Sequence, residues 1–114
     1  MIRVLFICHG NICRSPMAEF VFRDMAAREG LEVEVASAAT SAEEIGNPVY
    51  PPVRRLLLSH GLDPAGKRAR QLTRADYERW DLIIGMDSAN IRSMERLFGG
   101  DPEHKLLRLL DLTP

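Results

Sequence analysis

The period of the apolar positions changes several times along this chain, and each change marks an element. Residues 3–8, RVLFIC, form a continuous apolar run rich in branched side chains, the pattern of a strand buried on both faces. From Ser15 to about Glu29 the apolar residues Met17, Phe20, Val21 and Met25 recur at helical spacing, with Pro16 at a first-turn position and Gly30 as the stop. Residues 31–37, LEVEVAS, alternate in period two, and the GNPVYPP stretch then breaks the chain before a second helix over 53–61. Thr73 and Asp76 have the spacing of a capping box over a short helix at 74–80, which leads into the apolar DLIIGM at 81–86. Asp87 or Ser88 caps another helix that carries Ile91, Met94 and Leu97 to Gly99, and KLLRLLDL at 105–112 reads as a fourth strand. Strands alternating with helices through short connections predict an α/β fold, an open parallel sheet with right-handed crossovers.

Length and composition then narrow the picture. A chain of 114 residues, 46% hydrophobic, makes one domain over 1–114 and buries roughly 65% of its unfolded surface. The formal net charge of -1 provides no field that would recruit nucleic acid or an anionic membrane. No run is long enough for a membrane span, and Met1 leads straight into a strand rather than a secretory signal, so the sequence reads as cytoplasmic. Cys8 and Cys13 are the only cysteines, and His60 and His104 are too dispersed to join them in a metal site. No metal or cofactor is expected. Lys67, Arg68, Arg70 and Arg74 read mainly as solvated surface.

Both cysteines fall in one turn, CHGNICRS, between the first strand and the first helix. In open parallel sheets ligands bind beyond the carboxyl ends of the strands, which is where this turn lies. Its spacing is Cys8, five residues, Arg14. A loop of that length ending at a helix start can aim the backbone N–H groups of His9, Gly10, Asn11, Ile12, Cys13 and Arg14 at one tetrahedral oxyanion. Arg14 adds a planar fork for two phosphate oxygens. The same field favours the thiolate of Cys8, the nucleophilic form, and Ser15 can donate a hydrogen bond to it. Gly10 permits close approach, and Asn11 tolerates positive φ. The same residues also fit a buried structural cysteine, a glycine turn and a capping arginine; placement between a first strand and a helix favours the phosphate cradle.

CHGNICRSPMAE resembles the phosphate loop of the low-molecular-weight protein tyrosine phosphatases, and the resemblance continues through SAATS, EIGNP, RARQLT and MDSAN. It implies a flavodoxin-like sheet of order 2-1-3-4 with helices on both faces, a cysteinyl-phosphate intermediate and no metal. Position by position it implies Cys8 as nucleophile, Arg14 as phosphate clamp, Ser15 as thiolate partner, and Asn11 with Ser37 as loop supports. Cys13 matches the family's redox partner of the nucleophile; an apolar filler beneath the loop is the other reading. Ile12 resembles the tyrosine-directed members, so the implied substrate is a phosphotyrosine protein or small aryl phosphate, with inorganic phosphate as product. Where the family's pocket rim carries an aromatic residue, this chain has Glu43.

The family's general acid sits in an Asp-Pro-aromatic loop after the fourth strand, and no such loop is present here. Asp111 is followed by Leu112, and Asp101 with Pro102 precedes the strand and reads as a turn. The general acid is therefore unknown. The two-sided apolar pattern of 105–112 and of DLIIGM calls for cover on both faces, so a continuation past Pro114 through an acid loop into a last helix is expected, or a second chain over the open face. Three functions follow: a tyrosine phosphatase, impaired if the acid is missing; an acid-less phosphate or phosphopeptide binding module; and arsenate reduction, disfavoured because no cysteine follows Cys13 to resolve it.

Overall fold

The computed structural model describes residues 1–112 as a four-stranded parallel sheet in the order β2-β1-β3-β4. The elements are β1 (Ile2–Cys8), α1 (Arg14–Arg28), β2 (Val33–Ala39), α2 (Pro51–Ser59), α3 (Asp76–Arg79), β3 (Leu82–Gly85), α4 (Ser88–Phe98), β4 (Leu106–Arg108) and a single 3-10 turn (Leu109–Leu112). β1 is central and pairs in register with both neighbours, Cys8 with Ala39 on one side and Ile7 with Gly85 on the other. Its alternation divides the core. Leu5 and Ile7 face α3 and α4 with Trp80, Ile83 and Met94. Val4, Phe6 and Cys8 face α1, where Phe6 meets Phe22 edge to face at a centroid distance of 5.7 Å.

Several boundaries move from the sequence reading, each for a local reason. The second strand starts at Val33 and runs to Ala39, because Gly30 has φ 69 and residues 30–32 complete the turn from α1. The fourth strand, expected over 105–112, is only Leu106–Arg108. Its last partner is Gly85, after which β3 ends and the chain enters the cap of α4. With no ladder left, the chain coils into the 3-10 turn, closed by Arg108 Nη2 donating to Asp111 Oδ1 at 2.8 Å. The short third helix is confined to Asp76–Arg79. Asp76 reaches back to Thr73 N at 2.8 Å, one half of the expected box.

Right-handed crossovers in the order 2-1-3-4 would place the helices after α1, α2 among them, on the face opposite α1; for α2 the structure differs. Val53 and Leu57 of α2 pack with Val49 against Cys13, Met17 and Phe20, so α2 leans on α1. That changes which side of α1 is buried. Ser15, Pro16, Glu19 and Ala26 turn inward, Met17 and Phe20 meet α2, and Val21 and Met25 stay 39% and 58% exposed. Between α1 and the end of β4 a groove of about 400 Å³ remains open, lined by Met17, Ala18, Val21, Met86, Leu109 and Leu110. No helix among the described residues is long and apolar enough to cross a membrane.

Candidate active site

β1 delivers Cys8 to the carboxyl edge of the sheet, and α1 begins at Arg14, so the intervening residues must reverse over the strand end. Asn11 makes that reversal with φ 61, a conformation that costs a residue with a Cβ roughly 1–2 kcal/mol. Its side chain supplies compensation. Asn11 is 1% exposed; its Nδ2 donates to Ser15 Oγ and to Ser37 Oγ, both at 2.9 Å, and its Oδ1 accepts from Arg70 N at 3.1 Å. Both amide hydrogens and the amide oxygen are engaged.

These bonds set directions further along. Asn11 donates to the Ser15 oxygen, and that hydroxyl lies 3.0 Å from Cys8 Sγ, a bond in which either atom can be the donor. The sulfur also accepts from Asn11 N at 3.3 Å and Ser15 N at 3.4 Å. The buried sulfur is thus held by three polar partners at once. In the other direction Ser37 Oγ accepts from Asn11 and donates to Glu19 Oε1 at 2.5 Å. Glu19 is held in turn by Arg23 Nη2 at 2.7 Å.

Arg14 stands at the mouth, half exposed, its Nη1 donating to Asp87 Oδ2 at 3.1 Å. Asp87 also accepts from Asn90 N at 2.8 Å as the cap of α4, and Asn90 Oδ1 returns a bond to Asp87 N. Those backbone bonds, outweighing burial, together with Arg14 hold the Asp87 carboxyl below its usual range. One residue thus caps a helix and orients the clamp.

The loop is stitched to its surroundings by backbone. Thr40 N donates to Cys8 O at 3.0 Å, Ser41 N to His9 O at 3.0 Å, and Tyr50 N to Ile12 O at 2.8 Å. The His9 ring faces outward and pairs with Glu43 at 3.2 Å. A Cβ on Gly10 would stand 3.2 Å from Glu44 Cγ, a tight contact that the Glu44 side chain would have to yield to. Cys13 does not join the sulfur's cradle; it caps α1 and packs toward α2.

The structure therefore brings Cys8, Asn11, Ser15 and Ser37 into one bonded set, with Arg14 above it. The sequence alone assigns Glu19 no role, reads Arg70 as surface and Asp76 and Asp87 only as helix caps, and links none of them to the loop or to Arg14. Glu19 had a signal: Ser15, Glu19 and Arg23 repeat at helical spacing, a polar stripe on the side of α1 that turns inward. Lys67, read with its neighbours as solvated surface, is instead largely buried; its Nζ donates to Ser37 O at 3.1 Å and stands 3.8 Å from Glu19. Burial lowers its pKa, opposed by the Glu19 charge. Asp101 forms the expected turn, accepting from Tyr77 Oη at 2.7 Å and Lys105 N at 2.8 Å. Among the described residues no cluster of metal-ligating side chains occurs.

Comparison with known proteins follows this geometry closely. The sequence pattern of the family described as low molecular weight phosphotyrosine protein phosphatase matches residues 3–114. The low molecular weight protein-tyrosine-phosphatase YfkJ of Bacillus subtilis is 44% identical over 113 residues, covering 97% of this chain and 72% of the relative. The human low molecular weight phosphotyrosine protein phosphatase is 44% identical over 95 residues, covering 82% of this chain and 60% of its own length. The crystal structure of YfkJ superposes with a TM-score of 0.93, covering 97% of this chain and 71% of that one.

Proposed function

The chain belongs to the low molecular weight phosphotyrosine protein phosphatase family, and from that premise we propose that it hydrolyses phosphotyrosine or small aryl phosphate monoesters through a cysteinyl-phosphate intermediate. The observation that carries the proposal is the buried Cys8 sulfur, hydrogen-bonded to Ser15 Oγ and accepting from Ser15 N and Asn11 N, at the foot of the loop that ends at Arg14. The thiolate attacks phosphorus, the P–O bond to the leaving aryl oxygen breaks, and the loop N–H groups of residues 9–14 and the Arg14 guanidinium carry the charge on the three equatorial oxygens. Water then attacks the cysteinyl phosphate, and the thiolate leaves with its Ser15 bond restored, releasing inorganic phosphate. Ile12, partly buried at the loop, supplies an apolar surface suited to an aryl ring.

No carboxylate is assigned as the acid for the leaving oxygen. Asp87 is engaged by Arg14 and Asn90, Glu43 by His9, Glu44 by Asn47 and Asp111 by Arg108. This engagement supports a second reading, a phosphate or phosphopeptide binding module. A burst experiment separates the two: with excess p-nitrophenyl phosphate, whose leaving group departs without an acid, the enzyme releases aryl product equal to its own concentration, then continues, and Cys8→Ser releases none. A wild-type chain that binds phosphate but releases no aryl product leaves only the binding module. The cytoplasmic location belongs to this proposal, supported by chemistry that requires a reduced thiol. The uncovered face beside α1 is the surface on which an oligomer would form.

A further inference from the structure

Arg70 lies outside the phosphate loop, yet its backbone N–H holds the loop's positive-φ residue while its carbonyl ties it to β2. Arg70 N donates to Asn11 Oδ1 at 3.1 Å, and Arg70 O accepts from Ala39 N at 2.8 Å, beside an isolated parallel bridge between Ala39 and Gln71. The segment acts as a short strut laid against the end of β2. Asn11 holds a positive φ, and the strut supplies one of the three side-chain bonds that surround it.

The strut is rooted by a side-chain fork. Arg70 Nη1 and Nη2 donate to the two oxygens of Asp76 at 3.1 and 3.0 Å, a bidentate pairing that fixes orientation as well as distance. Asp76 is only 6% exposed and also accepts from Thr73 N at 2.8 Å and Trp80 Nε1 at 3.3 Å. Trp80 belongs to the buried cluster beneath α3 and α4. Burial opposes the Asp76 charge, but the hydrogen bonds from Arg70 and Thr73 and the Arg70 charge outweigh it and hold the carboxyl below its usual range. The result is one continuous line from the core to the sulfur: Trp80, Asp76, Arg70, Asn11, Ser15, Cys8.

We propose that Arg70 and Asp76 are positioning residues for the Cys8 thiolate, acting through the Arg70 N–H on Asn11 and not through contact with substrate. The inference rests on Cys8 being the nucleophile. Arg70 is suited to this by its fork; a lysine there keeps the charge but only one of the two parallel bonds.

The test uses the full 114-residue chain and two readouts that do not require turnover: the rate of Cys8 alkylation by iodoacetamide at fixed pH, followed by peptide mapping so that Cys13 is scored separately, and protection of Cys8 by inorganic phosphate. Arg70→Ala slows alkylation and weakens protection by roughly three- to thirtyfold, Arg70→Lys recovers part of the loss, and Asn11→Ala reproduces it. The double variant Arg70→Ala with Asn11→Ala is no worse than Asn11→Ala alone, because both act on one bond. Additive losses in the double variant overturn the inference, as does an Arg70→Ala protein with a lower unfolding midpoint but unchanged alkylation and protection. If Arg70→Ala does not fold, Arg70→Lys alone decides: unchanged protection overturns the inference, weakened protection supports it. Wild-type Cys8 that phosphate does not protect removes the phosphatase reading itself, a result seen before any variant is made.

Discussion

At the scale of single residues the site is a set of directed hydrogen bonds, and each bond has its own consequence. Cys8→Ser removes the nucleophile but not the cradle, so turnover falls by at least about 10⁴-fold while inorganic phosphate still binds. Arg14→Ala damages both, and Arg14→Lys stays poor because a point charge replaces a fork; steady-state kinetics and phosphate inhibition on the three proteins check this. Ser15→Ala deletes one charge-assisted bond to sulfur, worth about 1.5–3 kcal/mol, so kcat falls about 10- to 100-fold. That Cys8, Arg14 and Ser15 fall in one turn was legible from the C-x5-R spacing, and the family resemblance pointed to Asn11 as a support. The links of Glu19, Arg70 and Asp76 to that turn were not legible, since the partners that join them to it lie 18, 59 and 6 positions away in the chain and each residue type alone is ordinary on a surface. Cys13 as redox partner is tested by mild peroxide followed by thiol. A recoverable Cys8 to Cys13 disulfide, lost in Cys13→Ser together with recovery of activity, is the expected outcome; a peptide map without that crosslink makes Cys13 packing only.

At the scale of elements, the caps connect stability to the site. Asp87→Ala loses the N-cap of α4 and costs about 1 kcal/mol, whereas Asp87→Asn keeps a good cap and nearly the wild-type unfolding midpoint. Both variants lose the anionic partner of Arg14 and bind inorganic phosphate more weakly, so denaturation and phosphate inhibition together separate the two roles of one residue. Gly85 lies where β3 meets α4, and an added Cβ would stand 3.0 Å from Asn90 Cβ and 3.1 Å from Met94 Cε. Gly85→Ala therefore costs about 1–3 kcal/mol in a denaturant titration, the range for overpacking. Asp76 ties α3 to the strut that holds the loop, and its carboxyl is held below the usual range. A depressed acid contributes its full stability above its unfolded value, near 4, and loses it as pH falls through the folded value. The unfolding midpoint of wild type thus drops on acidification below about pH 4 more steeply than that of Asp76→Asn; equal slopes would show that Asp76 contributes nothing. Element existence was readable from periodicity, while the ends of β2 and β4 depended on where the neighbouring strand stops.

For the molecule as a whole, the sheet is covered by α3 and α4 on one face and by α1 on part of the other, leaving the groove beside Leu109 and Leu110 open. In the reading that assigns no general acid, aryl leaving groups depart unprotonated. Activated aryl phosphates are therefore cleaved well by the 114-residue chain while phosphotyrosine lags by about 10²- to 10⁴-fold, the usual worth of a general acid. The dependence of kcat on leaving-group basicity measures this, and a flat dependence would reveal a proton donor. The sequence by itself determined the alternation of strands and helices, the parallel sheet, and the turn in which the reactive residues fall. Those features follow from periodicity and spacing, which are properties of neighbours along the chain. Only the tertiary structure decided that α2 leans on α1, that β4 ends after Arg108, and that the buried side of α1 carries Ser15 and Glu19 while Val21 lines the open groove and Met25 stays exposed. A hydrophobic stripe states that a face is apolar without stating which surface meets it, and a polar residue is recognised as buried only when the distant donors that satisfy it are brought beside it in the fold.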